Sequence, residues 1–267
     1  MAEDRKLLLL ADDYALSHGI SAGIRTLIKA GKISGTGCMT LFPEWKSEVA
    51  ALREIERPGA QVGLHMTLTD FAPLSSNPLL ARHGNMPDLR SLIAATLFTR
   101  KFDDAIHTEL DAQLDAFTQY MGHAPHYIDG HQHVHFLPPV RRWFAKRAAQ
   151  WADSSRPWLR GAPTFAGATS TSIRTKIAFA SFLALGFEDA VSRYGYEIRG
   201  PLCGFYDWQE GRNFEPMLRG LQRNAPSDAV VMCHPGYVDD LLRQRDVFVE
   251  ARQTEFNVLL NGNYAAL

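Results

Sequence analysis

His126-Tyr127-Ile128-Asp129-Gly130-His131-Gln132-His133-Val134-His135-Phe136 concentrates more chemistry than any other stretch of the chain. If it is a strand, alternate side chains share a face, so Asp129, His131, His133 and His135 point one way and Ile128, Gln132 and Val134 the other. Neutral imidazole is the commonest metal ligand, and a neighbouring carboxylate can fix a ring's tautomer and orientation. The spacing therefore marks a candidate metal site at the end of a strand, with His131 and His133 both open as ligands of one ion.

Other strand ends repeat the pattern. Leu7-Leu8-Leu9-Leu10-Ala11 is apolar without alternation, as expected of a strand covered on both faces, and it runs into Asp12-Asp13. Ser17 is a candidate N-cap for a helix from about His18 to Ala30, stopped by Gly31, and a second strand follows over Ile33 to Leu41. A helix over Glu44 to Glu56 leads to a third strand that ends in His65. Thr69 to Asp88, with prolines at 73, 78 and 87, reads as a long loop of the kind that forms a lid or wall. Helices are expected over Leu89 to Phe98 and Asp103 to Met121. The histidine tract supplies strand four, and Pro138-Pro139 opens a helix to about Trp151. Strands are then expected at Trp158 to Gly161, Leu202 to Tyr206 and Ala229 to His234. Helical patterns cover Thr169 to Tyr194, Glu215 to Asn224 and Asp246 to Leu260. About seven β-α units with polar residues at the strand ends predict a single-domain, distorted (β/α) barrel across residues 1–267, its polar ends facing one mouth.

Composition narrows the function. The chain has 267 residues, 46% hydrophobic and 21% charged, with a formal net charge of -1. Those values describe a globular domain with a sizeable core and no basic stripe for a nucleic-acid backbone. Cys38, Cys203 and Cys233 are odd in number and lack Cys-x-x-Cys spacing, which fits a reducing cytoplasmic setting better than a disulfide framework. The apolar run at the N-terminus is too short for a secretion signal, and Ile177 to Phe187 is too short to span a bilayer. That second run, with Phe179, Phe182 and Phe187, is expected to be a core helix, a homodimer contact or a greasy wall for a lipid-linked sugar.

One carboxylate and two imidazoles around a divalent ion leave positions open for water and substrate, the arrangement of a catalytic metal site. A second carboxylate beside it can take a proton from that water. Asp12 and Asp13 are adjacent, so on an extended segment one serves the metal while the other reaches round it. His234, in Cys233-His234-Pro235-Gly236, is left at the rim by the turn after an apolar strand, where it can protonate a leaving amine or hold an oxyanion.

These residues resemble the YdjC-like carbohydrate deacetylases, the family of the chitooligosaccharide and hopanoid-biosynthesis deacetylases. The motifs are Ala11-Asp12-Asp13-Tyr14-Ala15-Leu16-Ser17, Val62-Gly63-Leu64-His65-Met66-Thr67-Leu68-Thr69, Asp129-Gly130-His131-Gln132-His133-Val134-His135, Gly204-Phe205-Tyr206 and His234-Pro235-Gly236-Tyr237. The resemblance implies a metal-dependent hydrolase that removes an acetyl group from an N-acetylated amino sugar, either a chitooligosaccharide or a lipid-linked N-acetylglucosamine. It implies Asp13, His65 and His131 as metal ligands, Asp12 as general base and His234 as acid or oxyanion partner. Asp129, His133 and His135 are then supporting or reserve ligands, and Tyr14, Tyr206 and Tyr237 substrate contacts. Two imidazoles suit zinc, cobalt, iron or manganese, whereas the family is commonly described with magnesium. The family's usual Phe-Gly after the aspartates is Tyr14-Ala15 here, which predicts backbone strain at Ala15. Arg252 and Glu255 fit the family's C-terminal pattern as an ion pair or as part of the site.

Overall fold

The computed structural model describes residues 7–55, 57–81, 84–152, 155–168, 170–209, 211–262 and 264. Glu56 and Thr169, the ends of two expected helices, lie outside them. Eight parallel strand segments form one sheet: β1 (Leu8–Tyr14), β2 (Gly35–Cys38), β3 (Gln61–Met66), β4 (Tyr127–Gly130), β5 (Trp158–Arg160), β6 (Ile198–Arg199), β7 (Leu202–Cys203) and β8 (Val230–Cys233). Their order is β6-β5-β4-β3-β2-β1-β8-β7.

Only Gly200 and Pro201 separate β6 from β7, although these segments stand at opposite ends of that order. The line 198–203 thus pairs with β5 at its start and with β8 at its finish, and it draws the two edges of the curled sheet together. Leu202 N–H donates to the Ala162 carbonyl at 2.9 Å and Thr164 N–H to the Leu202 carbonyl at 3.0 Å, which ties the edges. The expected strand six was therefore correct in place but begins earlier, as two short pieces. Seven lines of chain carry the eight segments, in agreement with the expected distorted barrel.

Helices α1 (His18–Lys29), α2 (Trp45–Arg53), α3 (Leu89–Thr96), α4 (Asp103–Met121) and α5 (Pro138–Ala148) pack outside the strands. Ser17 caps α1 by accepting from Ile20 N–H at 3.2 Å, and Gly122 closes α4 in the left-handed conformation. The expected helix after residue 169 is divided into α6 (Thr171–Ala184) and α7 (Phe187–Ser192), because Gly186 at φ 69° breaks the run. After α8 (Phe214–Asn224), the expected final helix is α10 (Val249–Asn261), and a short helix that the sequence reading did not assign, α9 (Asp240–Arg245), precedes it.

The histidine tract differs most from expectation. Strand β4 stops at Gly130, and residues His131–Phe136 wind into a 3₁₀ turn with Gln132 at φ 51° and His133 at φ 61°. Asp129, His131, His133 and His135 therefore do not share one face. Loop 69–88 is held by Glu109 of α4, whose buried carboxylate accepts from Leu74 N–H at 3.1 Å and Ser75 N–H at 2.7 Å. Among the described residues no helix is long and apolar enough to cross a membrane.

Candidate active site

A cavity of about 520 Å³ opens at the C-terminal ends of the strands, lined among others by Asp12, Asp13, His65, His131, His133 and His234. Strand β1 delivers both aspartates through an irregularity in its pairing with β2 between Ala11 and Tyr14, where Asp13 adopts φ 67°. A local bulge of this kind lets adjacent side chains reach one cavity. Ala15 follows at φ 75°, the strain expected where the family carries glycine, and its N–H donates to Ser21 Oγ at 3.1 Å. Among the described residues six non-glycine positions have positive φ, and five of them, Asp13, Asp70, Gln132, His133 and Trp208, line this cavity. Strain of that kind gathers where surrounding structure imposes a working geometry.

Three of the predicted ligands converge. Asp13 Oδ1 lies 3.0 Å from His131 Nδ1 and 3.4 Å from His65 Nε2. One ligand atom from each of the three falls within 4.8 Å of the others, close enough to share a cation. Behind His65, Asp129 Oδ1 accepts from Nδ1 at 2.7 Å, which leaves Nε2 directed at the cluster. Burial disfavours charge on His65, but Asp129 and then Asp12 raise it to about 10 in the absence of a cation. Burial likewise opposes ionisation of Asp13, yet the Arg252 guanidinium and His131 hold its carboxyl well below the usual range. Arg252 Nη2 donates to Asp13 Oδ2 at 2.7 Å and to Asp246 Oδ2 at 2.6 Å. Oδ1 of Asp13 is the oxygen left for the histidine cluster.

The second carboxylate is held separately. Arg160, fully buried at the end of β5, donates to both oxygens of Asp12 at 2.7 and 2.6 Å and lies 2.5 Å from Asp129 Oδ2. Asp12, His65 and Asp129 also cluster, but the guanidinium already compensates both carboxylates, so the Asp13, His65 and His131 set is the better cation site. His234 Nε2 stands 3.8 Å from Asp12 Oδ2, with its ring against Trp208 at 4.5 Å between centroids. Burial lowers its pKa to about 4, so the imidazole rests neutral near pH 7. Its backbone N–H donates to Glu255 Oε2 at 2.5 Å, and Glu255 Oε1 accepts from Tyr206 O–H at 2.5 Å.

Several expected residues stand elsewhere. His135 is fully buried, packed on Phe136 at 3.9 Å and on Phe187, and does not line the cavity. His133 lines the wall beside Phe205 but lies outside the cation cluster, and burial lowers its pKa to about 4. Tyr14 is buried away from the cavity, its O–H donating to the Glu48 carbonyl at 2.6 Å. Tyr237 rests on Phe256, also outside the cavity, while Tyr206 lines it with its hydroxyl committed to Glu255. Arg160 was not singled out from the sequence. The rule that found the aspartates and histidines, a polar residue closing an apolar strand, applies to Trp158-Leu159-Arg160 as well.

The arrangement has relatives. A carbohydrate deacetylase of Halalkalibacterium halodurans is 24% identical over 255 residues, covering 95% of this chain and 94% of the relative. A chitooligosaccharide deacetylase of Enterobacter sp. is 29% identical over 266 residues, covering 96% and 91%. Among solved structures, a protein of Enterococcus faecalis V583 described as a cellobiose-phosphate cleavage protein superposes with a TM-score of 0.70 at 20% identity, over 98% of this chain and 93% of the other. That likeness supports the fold alone. The sequence pattern of the family described as YdjC-like protein matches residues 6–267, and the chain belongs to that family.

Proposed function

We propose that the protein is a metal-dependent hydrolase that removes the acetyl group from an N-acetylated amino sugar. The observation that carries this is the convergence of Asp13, His65 and His131 on one point, with Asp12 beside them but held apart by Arg160. A closed structural site has no use for that spare carboxylate. The donor set fits a divalent cation: one carboxylate oxygen and two imidazole nitrogens are available, and Asp129 fixes the His65 tautomer that presents Nε2. Such an ion supplies Lewis-acid polarisation of the acetamide carbonyl and makes water acidic enough to deprotonate near neutral pH. Zinc suits two imidazoles best, with magnesium the alternative the family resemblance carries.

The chain's own groups provide the proton path. Asp12, fixed by two Arg160 donors, accepts the proton of the attacking water on a remaining lone pair. His234, neutral at rest and 3.8 Å from Asp12, can receive a proton and deliver it to the departing amine. Trp208 and Phe205 give that side of the cavity an apolar wall, and an apolar surround strengthens each polar interaction within it.

The test is acetate release from di-N-acetylchitobiose after chelation and after each divalent ion is restored. Release that depends on one ion supports the proposal and names the metal. Tight metal binding with no release under any ion would count against this substrate class. A lipid-linked amino sugar is the second candidate substrate, because Phe182 and Leu185 of the 177–187 segment are 56% and 66% exposed, and Phe179 of the same segment reaches the cavity. Replacing Phe182 with Ser should then spare the soluble disaccharide and slow the glycolipid.

A further inference from the structure

Helix α6 buries one side, through Ile173, Ile177, Ala180 and Leu183, and leaves the other in solvent. Both of its ends are fixed. Ser170 caps the start by accepting from Ile173 N–H at 3.3 Å, and Arg141 of α5 donates to the Leu183 and Leu185 carbonyls at the finish. The outward side carries Phe179 and Phe182, with Leu185 at the C-cap, all three exposed. At about 100° per residue, Phe179 and Leu185 lie about 60° to either side of Phe182, so the three form one apolar stripe. Arg174 and Lys176 are exposed beyond its two edges, about 80° and about 120° from Phe182 on the same count. A monomer rarely leaves a stripe of large apolar side chains without a partner.

Charge decides what covers it. The chain has no Asp or Glu between Asp153 and Glu188, and Glu188 is turned back to accept from Ala162 N–H at 2.7 Å. On the flank shared with Phe179, Asp70 accepts from Gln132 Nε2 at 2.9 Å and Asp88 caps α3 by accepting from Ser91 N–H at 3.0 Å. A second copy of this chain, meeting the stripe face to face, would gather the cations of both helices and offer them no carboxylate from either, a like-charge contact that opposes pairing. An anionic lipid surface complements the same face. Aromatic and leucine side chains enter the boundary between headgroups and acyl chains, and long basic side chains at the stripe's edges reach the phosphates. The position suits such a surface as well: Lys176 and Phe179 line the central cavity, and so do Val247 and Phe248, 86% and 47% exposed between α9 and α10.

We propose that the outward face of α6 docks the protein on an anionic lipid bilayer. Phe179, Phe182 and Leu185 insert at headgroup level, and Arg174 and Lys176 meet lipid phosphates on either side of them. Attachment of this kind is peripheral and reversible. It goes beyond the amino-sugar reading and holds whatever acylated substrate the cavity takes.

The experiment floats the purified full chain with vesicles of phosphatidylcholine alone and of phosphatidylcholine mixed equally with phosphatidylglycerol, and measures the bound fraction. The expected result is a preference of about tenfold or more for the mixed vesicles. Phe182→Ser combined with Leu185→Ser should weaken that binding by about tenfold or more, because two apolar side chains no longer leave water. Arg174→Gln combined with Lys176→Gln keeps the stripe and should bring the two vesicle types within about threefold, which gives a second reading if the first pair fails to fold. Binding to neither vesicle, or binding that neither pair of substitutions changes, would overturn the proposal. Sedimentation velocity without lipid tests the rival occupant. A wild-type dimer that Phe182→Ser with Leu185→Ser converts to monomer would overturn it, whereas monomers in both proteins support it.

Discussion

Arg160 holds two buried carboxylates, Asp12 and Asp129, with its own side chain fully enclosed. Taking away the shared cation leaves two negative charges in a low-dielectric space, a change that typically costs about 3–5 kcal/mol. Arg160→Met should therefore lower urea-unfolding stability by that order and displace the proposed base. Retention of wild-type stability would show that water reaches the pair. The ligand roles separate differently. His131→Ala should lose the metal and the activity together, seen by metal analysis and acetate release, while His234→Ala should keep the metal and lose about 10²–10⁴ in kcat. A His131→Ala protein with full metal content and rate would sink the site assignment. Residues closing apolar strands were legible in the sequence because burial on both faces makes a polar side chain conspicuous there. Arg160 meets the same criterion, but a lone arginine carries no ligand signature and so draws less notice than a histidine.

The histidine tract, expected as a strand beyond Gly130, and loop 69–88, expected as a lid or wall, are the elements whose detail the sequence did not carry. Alternating histidines carry the period of a strand, and only Gly130 hints that pairing stops there. The left-handed turn at Gln132 and His133 is imposed by tertiary contacts such as the Asp70 hydrogen bond, which no local propensity encodes. Loop 69–88 could be recognised as a wall from its prolines, but not its anchor, since Glu109 sits in an amphipathic helix like any other carboxylate. Its burial gives it a distinct role. It accepts two loop N–H groups and the Gln113 side-chain N–H, so Glu109→Ala leaves both loop donors without partners and Gln113 Nε2 with the Thr67 carbonyl. Each unsatisfied buried group costs about 1–3 kcal/mol. The expected outcome is faster amide exchange at Leu74 and Ser75 and new proteolytic cleavage within residues 71–80. Unchanged exchange at both amides would place the anchor elsewhere.

Across the whole molecule, the barrel's count of strands followed from β-α alternation, whereas its closure did not, because the sequence gives no measure of how a two-residue break joins β5 to β8. The last helix completes the assembly. Glu255 of α10 links β8 through the His234 N–H to the chain beyond β7 through Tyr206, and burial raises its carboxyl from 4.5 to about 7. Because the folded pKa lies above the unfolded one, the folded state keeps a proton that the unfolded chain releases. This contribution is fully present below about 4.5 and is lost as pH rises through 7, a total of about 3 kcal/mol at 1.36 kcal/mol per unit. His133 and His234 act in the opposite direction, since both are lowered to about 4 and their stabilisation is lost as pH falls from 6.5 towards 4. The wild-type curve therefore contains opposing slopes, and the Glu255 part is isolated by difference. Glu255→Gln removes that titration, so between pH 4.5 and 7 its unfolding free energy should climb relative to wild type by up to about 1.4 kcal/mol per pH unit. Urea titrations at half-unit intervals measure it directly. Parallel curves for the two proteins would mean that Glu255 ionises in the folded state as readily as in the unfolded chain, and that its burial between β8 and α10 sets no pH dependence.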